Sequence, residues 1–474
     1  MLTSNSLIGR KNEKKRFEEC MNSQRSEFVI VYGRRRVGKT FLIREFFKNK
    51  FTFSFVGANN QPKEVQLENF AFKLKEYSKS TFLPKIQDWN EAFRELQNYL
   101  STTKCNGKKV VFFDEMPWAD TQKSGFVAAL ENFWNSWAAF RNDILFIACG
   151  SATSWIVEKI LNNQGGLHCR TTQEIYLRPF TLGEVKEFLA VNQVRWDNYQ
   201  IAQAYMVFGG VPFYYTLLEK NQSLAQNIDR LFFEGKNAVL RVEFSELFSS
   251  LFNKPDKYLS VIEIFSERKE GFTREEISKK TGITGAGLTK MLENLERCDF
   301  LLGYSKFGGG KNNVVYRLCD FYTLFYYNFV AFNKSQEKNF WQKMILSPKI
   351  SSWQGFSFEL LCILHLEQMK NALGISGILT NSSVWRAKDN SAQIDLVIER
   401  ADRIVNLCEM KFSRGKYEIS PSYAQKLMER ASIFIAETKT KYAVSNVLVT
   451  TYGVLDGKNY SVVDNEIVLD DLFL

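Results

Sequence analysis

The sequence of 474 residues predicts a multidomain α/β protein. An apolar strand at residues 28–32 runs into a glycine-containing loop and an apolar helix, an order typical of parallel nucleotide-binding sheets. Residues 255–318 show helical periodicity followed by two short strands, and residues 391–411 alternate in polarity as two consecutive strands. A chain of this length is expected to hold about three domains, at about 150 residues each. The three different patterns agree with that expectation.

Composition narrows the classes of protein. The formal charge of +10, from 62 Lys and Arg against 52 Asp and Glu, leans toward an anionic partner such as nucleic acid. Eight scattered cysteines without a C-x-x-C pair, together with two histidines, make a zinc site unexpected and favour reduced thiols. The N-terminus is polar, and no apolar run reaches the ~20 residues of a membrane span. We therefore expect a cytoplasmic protein with no membrane partner.

The loop after the first strand carries the clearest motif. It reads G-x-x-x-x-G-K-T, a P-loop in its required context of strand and helix. Lys39 would reach the β- and γ-phosphates of ATP, and the Thr40 hydroxyl would hold Mg²⁺. We expect the arginine side chains of the loop to form a solvated basic edge. The predicted nucleotide-binding residues are Gly33, Arg34, Arg35, Arg36, Val37, Gly38, Lys39 and Thr40.

Polar residues end two further predicted strands. The strand at 109–113 is followed by Asp114, which would bind Mg²⁺ through water, and by Glu115, which would polarise the attacking water. The alternative is a pair of carboxylates that closes a strand into a turn. The strand at 144–150 is followed by Ser151, which would either sense the γ-phosphate or cap the next helix.

An arginine could complete this site from a neighbouring subunit or domain. Arg170 and Arg178 flank a predicted strand at 172–177, and an arginine supplied in this way stabilises charge that develops in phosphoryl transfer. The alternative is an ordinary surface or strand-end arginine.

These motifs resemble the archaeal-type ATPases of the AAA+/STAND group. The resemblance covers residues 1–250 and includes the loop, the acidic pair, an early Gly9-Arg10 segment and a Gly-Gly-Val-Pro segment at 209–212. It implies an ATP-hydrolysing core at residues 1–180 and a helical lid at 181–253. In that group the Gly-Arg segment lies near the adenine.

The middle of the chain predicts a winged helix-turn-helix at residues 254–320. Thr273 and Glu276 form a capping-box pattern at the start of the second helix. Two strands then surround a glycine-rich wing in which Lys306 and Lys311 could contact phosphates. The outward face of the third helix lacks Arg, Asn and Gln, so DNA contact and a purely structural or protein-docking role both stay open.

The last third predicts a second polar site. Strands at 391–400 and 403–411 form a hairpin whose alternation places Glu409 and Lys411 on one face, with Asp395 across from them. Carboxylates around a divalent metal, with a lysine beside them, suit phosphodiester hydrolysis. The alternative is a set of exposed hairpin charges.

This pattern resembles the PD-(D/E)XK nuclease superfamily. Glu359 matches its first-helix acid, and Gln425 lies on the helix after the hairpin, where several branches carry a glutamine. The resemblance implies a restriction-endonuclease-like α/β domain at residues 335–474. Its metal ligands would be Asp395 and Glu409.

The expected function is an Mg-ATP-hydrolysing ATPase whose nucleotide state controls a nuclease-like domain that acts on DNA. The catalytic residues would be Glu115, Ser151, Arg170, Glu359, Asp395, Glu409 and Lys411. One alternative is a nucleotide-operated switch or scaffold whose C-terminal domain binds a partner without cutting. A further alternative is a transcription regulator that works through residues 255–318. Self-association or a protein partner fits any of these functions.

Overall fold

The computed structural model describes residues 7–474 except 163, 164, 168, 253, 310–313 and 334–336. The chain divides into two compact units, one that ends at Pro179 and one that spans Phe180–Leu474. The predicted multidomain α/β class with a parallel sheet is confirmed. Within the described ranges, no helix combines the length and the apolar character that crossing a bilayer requires.

The first unit is built on a parallel sheet of five strands in the order β2-β3-β4-β1-β5. Its strands are β1 (Glu27–Tyr32), β2 (Phe53–Val56), β3 (Lys109–Asp114), β4 (Ile144–Gly150) and β5 (Gln173–Tyr176). Its helices are α1 (Lys11–Asn22), α2 (Lys39–Phe46), α3 (Lys63–Ser78), α4 (Trp89–Thr102), α5 (Phe126–Ser136) and α6 (Thr153–Ile156).

The apolar composition of this sheet follows from its position. Every residue of β3 and β4 is buried, as expected for parallel strands covered by helices on both faces. Packed aromatic rings fill one face; Phe93 of α4, for example, stacks on Phe113 with ring centroids 5.9 Å apart. Because β4 lies between β1 and β3, the three carboxyl ends meet at one edge of the sheet. The P-loop, the acidic pair and Ser151 therefore share that edge.

The second unit contains the remaining elements. Its helices are α7 (Leu182–Val191), α8 (Asn198–Phe208), α9 (Pro212–Thr216), α10 (Leu224–Ile228), α11 (Val239–Leu251), α12 (Pro255–Glu263), α13 (Arg274–Thr281), α14 (Gly285–Arg297), α15 (Phe321–Phe325), α16 (Phe340–Met344), α17 (Pro348–Leu364), α18 (Leu366–Ala372) and α19 (Pro421–Thr438). Its strands are β6 (Phe272–Thr273), β7 (Leu301–Ser305), β8 (Val314–Leu318), β9 (Thr380–Arg386), β10 (Gln393–Arg400), β11 (Ile404–Lys411), β12 (Ala443–Thr450) and β13 (Asn465–Val468). The predicted divisions near 253 and 320–335 fall inside this unit and stay predictions.

Helices α12 to α14 and a small antiparallel sheet, β6-β8-β7, form a continuous segment of this unit. The capping box is confirmed: the Thr273 hydroxyl accepts from Glu276 N, and the Glu276 carboxylate accepts from Thr273 N. The predicted apolar face of α14 is buried, at Leu288, Met291, Leu292 and Leu295. Lys311, predicted to lie in the wing, is outside the described residues.

The last sheet has the order β13-β12-β11-β10-β9. Strands β9, β10 and β11 pair antiparallel, whereas β11, β12 and β13 pair parallel. The parallel pairing of β11 with β12 requires a crossover connection, which α19 provides. The predicted hairpin is confirmed as β10 and β11, and α17 packs on β11.

Candidate functional site

The P-loop wraps the N-terminus of α2. Gly33 has φ of 140°, and a Cβ there would lie 2.5 Å from the Leu177 carbonyl oxygen, so a side chain is excluded by space as well as by conformation. Gly38 has φ of 91° with open space around its Cα. The ammonium of Lys39 lies 2.9 Å from each of the carbonyl oxygens of Gly33 and Arg34. These donors can be redirected to the phosphates of a bound nucleotide.

The Asp114 carboxylate lies beside the loop. Its Oδ1 accepts from the Thr40 hydroxyl at 2.9 Å and from the Cys149 thiol at 2.9 Å. Burial, together with the charge of Asp114, raises the pKa of Cys149 well above its usual value, so this side chain stays a thiol and donates. Hydroxyl and carboxylate oxygens that converge in this way are suitable ligands for Mg²⁺.

The predicted catalytic carboxylate, Glu115, has left-handed backbone geometry with φ of 44°. The Ser151 hydroxyl donates to its Oε1 at 2.6 Å, and the Ser151 N–H donates to its Oε2 at 3.0 Å. Both oxygens of the carboxylate are thereby bound by one residue at the end of the neighbouring strand. The structure brings the two predicted residues together, whereas their chemical roles stay predictions.

The predicted solvated edge of three arginines is wrong for Arg34. Its side chain is 2% exposed, whereas Arg35 and Arg36 are half-buried. Sequence reasoning also missed a contact of Arg10, whose guanidinium donates to the carbonyls of Val37 at 3.3 Å and Arg178 at 2.8 Å. Arg10 of the early Gly-Arg segment therefore stabilises the P-loop through its hydrogen bond to the loop backbone at Val37.

Arg170 and Arg178 are both exposed. Arg170 lies in a turn, where its N–H donates to the Leu167 carbonyl at 3.1 Å. Exposure is a requirement for an arginine that acts on another subunit. The role of Arg170 stays a prediction.

The predicted residues of the C-terminal site come from three adjacent elements. Glu359 lies on α17, Asp395 on β10, and Glu409 and Lys411 on β11. The Lys411 ammonium is 2.8 Å from Glu409 Oε1, as their shared face predicts. Asp395 Oδ1 accepts from the Gln393 side-chain amide at 2.9 Å. We call these four side chains the C-terminal centre.

Charge interactions link the members of the C-terminal centre. Burial raises the pKa of Glu359 to about 8, and the charge of Asp395 adds to this effect. Burial and the charge of Glu409 raise the pKa of Asp395. Burial also opposes ionisation of Glu409, but the cations Arg430 and Lys411 outweigh it and lower that pKa. The carboxylates are therefore near enough to repel one another, a repulsion that a bound cation would relieve.

Two residues of α19 bind the centre and were missed from the sequence. Arg430 forms an ion pair and hydrogen bond with Glu409, and the Tyr423 hydroxyl donates to Glu409 Oε1 at 2.8 Å. The glutamine expected on this helix, Gln425, is exposed and binds Glu429 instead. Spacing is the one signal available, because positions 423 and 430 lie two turns apart on one helical face.

The described part of the chain contains no group of three or more His, Cys, Asp or Glu side chains arranged to hold a metal ion. A magnesium ion commonly takes one or two protein carboxylates and fills its other positions with water and phosphate oxygens. The Asp395 carboxylate fits an ion bound in that way. Both Glu409 oxygens already bind Lys411, Tyr423 or Arg430, so an ion would share Glu409 with these groups or displace one of them.

Comparison with known proteins bears on the first site. Residues 7–218 match the family model described as "ATPase domain predominantly from Archaea". This part of the chain matches an archaeal-type ATPase domain, the class that its loop and acidic pair resemble.

Two proteins of Methanocaldococcus jannaschii are similar in sequence. The uncharacterized protein MJECL04 is 23% identical over 364 residues, 74% of this chain and 75% of that protein. The uncharacterized ATP-binding protein MJ0423 is 46% identical over 44 residues, 9% of this chain and 75% of that protein.

Two solved structures show distant similarity. The Walker-type ATPase PABY2304 of Pyrococcus abyssi has a TM-score of 0.48 at 16% identity, covering 68% of this chain and 96% of that chain. The ORC2 protein of Aeropyrum pernix has a TM-score of 0.41 at 13% identity, covering 68% of this chain and 93% of that chain.

Proposed function

We propose that this protein hydrolyses Mg-ATP and uses its nucleotide state to control a nuclease-like domain, residues 335–474, that acts on DNA. The observation that supports the nuclease assignment is the C-terminal centre itself. Three carboxyl groups and a lysine lie on α17, β10 and β11 within one compact unit, and burial with neighbouring charge raises the pKa of both Glu359 and Asp395. Carboxyl groups that are costly to ionise in this way favour a bound cation or a charged substrate.

In the ATPase domain, each polar group has a distinct role. Lys39 leaves the carbonyls of its own loop and binds the β- and γ-phosphates. Thr40 and Asp114 would hold a magnesium ion, which neutralises developing phosphate charge when bound. Glu115 polarises the attacking water, and Ser151 fixes the carboxylate in the orientation that this step requires. A hydroxyl that binds both Glu115 and the γ-phosphate would report the nucleotide state.

In the C-terminal centre, Asp395 and Glu409 would hold a divalent metal ion, which supplies Lewis-acid activation of a phosphodiester when bound. Lys411 stabilises negative charge on the phosphate oxygens during attack by water. Water adds across one P–O bond, which leaves a phosphomonoester and a hydroxyl. Arg430 and Tyr423 of α19 bind the Glu409 carboxylate and fix its orientation.

A stack of aromatic rings provides a route for control. Tyr199, at the start of α8, stacks on Phe412 with ring centroids 4.8 Å apart and planes 9° from parallel. Phe412 follows Lys411 in the chain and also contacts Phe358, the neighbour of Glu359, at 5.2 Å. A movement of α8, which we assign to the helical lid, would therefore displace residues adjacent to two members of the centre.

The nuclease assignment is tested by cleavage of plasmid and single-stranded DNA with Mg²⁺ or Mn²⁺. Lys411→Ala should lower the cleavage rate by at least about a hundredfold, because the lysine acts on the transition-state charge. Lys416→Ala, an exposed lysine in the loop that follows β11, is the matched control and should cut at the wild-type rate. Absence of cleavage by the wild-type protein under all of these conditions would contradict the assignment.

The control route is tested by Tyr199→Ala, with Tyr199→Phe as the variant that keeps the stack. The alanine variant should uncouple cleavage from ATP, whereas the phenylalanine variant should respond as the wild type does. Equal ATP responses in all three proteins would show that this stack does not transmit the effect of ATP.

One observation favours the alternative of a silent, partner-binding domain. Lys411, Arg430 and Tyr423 already bind Glu409, so its charge is compensated by protein groups alone. In this alternative, DNA or a protein is bound without being cut. A partner that binds equally well to wild type and Lys411→Ala, together with no cleavage, would support it.

We also propose that residues 254–320 form a winged helix. The supporting geometry is the helix pair α13 and α14 followed by the β7-β8 hairpin. Thr289, on the expected recognition face of α14, accepts a hydrogen bond from Arg274 at 3.2 Å. This face is therefore partly engaged by its own module, which favours docking or phosphate contact over base readout.

A further inference from the structure

A cleft of about 740 Å³ lies between the β6-β8-β7 segment and the C-terminal sheet, inside the second unit. The two parts are joined there by backbone pairing, since Phe307 N donates to the Val384 carbonyl at 2.9 Å. Phe307 also packs on Phe434 of α19 with ring centroids 4.9 Å apart. The lining includes Arg317 from β8 and Asp395 from the C-terminal centre.

Arg317 is the unusual residue of this cleft. Its side chain is 8% exposed, and its Nε and Nη2 atoms are buried without a hydrogen-bond partner among the residues that the structure describes. Nη2 lies 3.7 Å from Glu359 Oε2, near enough for an ion pair but too long for a hydrogen bond. The guanidinium also lies over the Phe356 ring, 4.4 Å from its centroid. Buried donors left unsatisfied in this way destabilise the fold unless a ligand accepts from them.

We propose that the Arg317 guanidinium binds a backbone phosphate of a nucleic-acid strand that lies in this cleft beside Asp395. This inference deepens the proposed function and rests on it, because Asp395 belongs to the C-terminal centre. Arginine matches a phosphate through two parallel N–H donors, and Nε and Nη2 of Arg317 make no hydrogen bond within the described part of the chain.

The remaining charges of the cleft are compatible with a polyanion. Lys306, Arg386 and Lys388 also line it. Of the lining acids other than Asp395, Glu276 is bound by Arg268 at 2.7 Å, Glu437 accepts from Lys388 N, and Glu270 is exposed. A phosphodiester suits the site better than an acidic peptide does, because phosphate oxygens complete magnesium sites that are built on one or two carboxylates.

The test is a fluorescence-anisotropy titration of the full chain with labelled single-stranded and duplex oligonucleotides in EDTA, where no metal-dependent cutting occurs. Arg317→Gln should weaken binding by at least about tenfold, as expected for loss of hydrogen bonds from a charged group. It should also reduce the salt slope by about one phosphate contact. Arg317→Lys should keep part of the affinity, and Lys458→Gln, an exposed lysine that does not line the cleft, should bind as the wild type does.

Several results would overturn the proposal: no binding by the wild-type protein, equal binding by Arg317→Gln, or displacement of the oligonucleotide by polyglutamate as readily as by unlabelled DNA. Circular dichroism establishes whether Arg317→Gln folds. If it does not fold, binding is measured instead with a double variant, Lys306→Gln and Arg386→Gln. Weaker binding by this variant would support nucleic-acid binding in the cleft, and unchanged binding would exclude it. Binding that depends on Arg317 in a protein that never cuts DNA would contradict the nuclease proposal alone. Cutting without such dependence would contradict this inference alone.

Discussion

The Ser151 hydroxyl donates a 2.6 Å hydrogen bond to the Glu115 carboxylate, and the Ser151 backbone N–H donates to the other carboxylate oxygen. Glu115 and Ser151 directly follow the neighbouring strands β3 and β4, at the edge of the sheet that also carries the P-loop. It gives the predicted sensor a defined partner, the group that would activate water. Any γ-phosphate that competes for the Ser151 hydroxyl would change how Glu115 is held.

Replacement of the hydroxyl should therefore affect chemistry more than nucleotide binding. Ser151→Ala is expected to lower kcat for ATP hydrolysis by about tenfold or more while KM changes little, because orientation of the base is lost. Ser151→Thr keeps a hydroxyl and should retain most of the activity. Steady-state kinetics measure both values, and an unchanged kcat in Ser151→Ala would exclude the positioning role.

Lys39→Ala should reduce ATP turnover to the background rate, a loss of at least about a hundredfold. Its ammonium binds the carbonyls of Gly33 and Arg34, so its removal leaves the hydrophobic core of the domain unchanged and the thermal transition near its original temperature. Lys50→Ala, at an exposed lysine after α2, is the matched control. Unchanged turnover in Lys39→Ala would mean that the P-loop assignment is wrong.

Arg170→Ala should depress hydrolysis only where an assembled interface supplies this arginine to a neighbouring subunit. In that case, wild-type turnover per subunit rises with protein concentration, and the variant lacks the rise. Turnover measured over a hundredfold range of protein concentration checks both statements. A wild-type turnover that does not vary with concentration would remove support for an arginine acting in trans.

His365 should make the second unit less stable in mild acid. It is buried, its Nε2 accepts from Leu182 N at 3.0 Å, and its Nδ1 bonds the Leu361 carbonyl at 2.9 Å, so the ring is a neutral tautomer. Burial lowers the pKa of His365 from 6.5 to about 4. Between these values the unfolded chain binds the proton and the folded chain does not. Stability is therefore complete above pH 6.5 and is lost as the pH falls toward 4.

The expected loss between pH 7 and pH 5 is about 2 kcal/mol of unfolding free energy from this residue. Thermal or urea unfolding of the wild type and of His365→Gln at both pH values measures it, and the variant should lose less on acidification. His168→Gln changes the other histidine of the chain and serves as the control. An equal loss in His365→Gln and the wild type would contradict the assignment.

The elements predicted with success were those specified by local sequence. The strand, loop and helix around Lys39 and the capping box of Thr273 with Glu276 each depend on residues within a few positions of one another. The β10-β11 hairpin likewise follows from its alternating polarity and short turn.

The contacts that were missed join distant parts of the chain. Arg317 of β8 forms an ion pair with Glu359 of α17, and Arg430 of α19 forms one with Glu409 of β11. A single sequence can place such side chains on one face of a helix, but it does not indicate which distant residues they contact. The burial of Arg34 was missed for a related reason, since an arginine in a glycine-containing loop looks solvated until the surrounding structure is known.

Control of the nuclease-like domain by nucleotide is tested by the rate of DNA cleavage with and without ATP. It should be measured for the wild type, for Lys39→Ala, which should not engage the nucleotide, and for Glu115→Gln, which should bind but not hydrolyse it. ATP should change the wild-type cleavage rate by at least about tenfold. Lys39→Ala should cut at the same rate with and without ATP, and Glu115→Gln should keep the rate of the ATP-bound state. Cleavage at one rate in all three proteins, with or without ATP, would contradict control by nucleotide state.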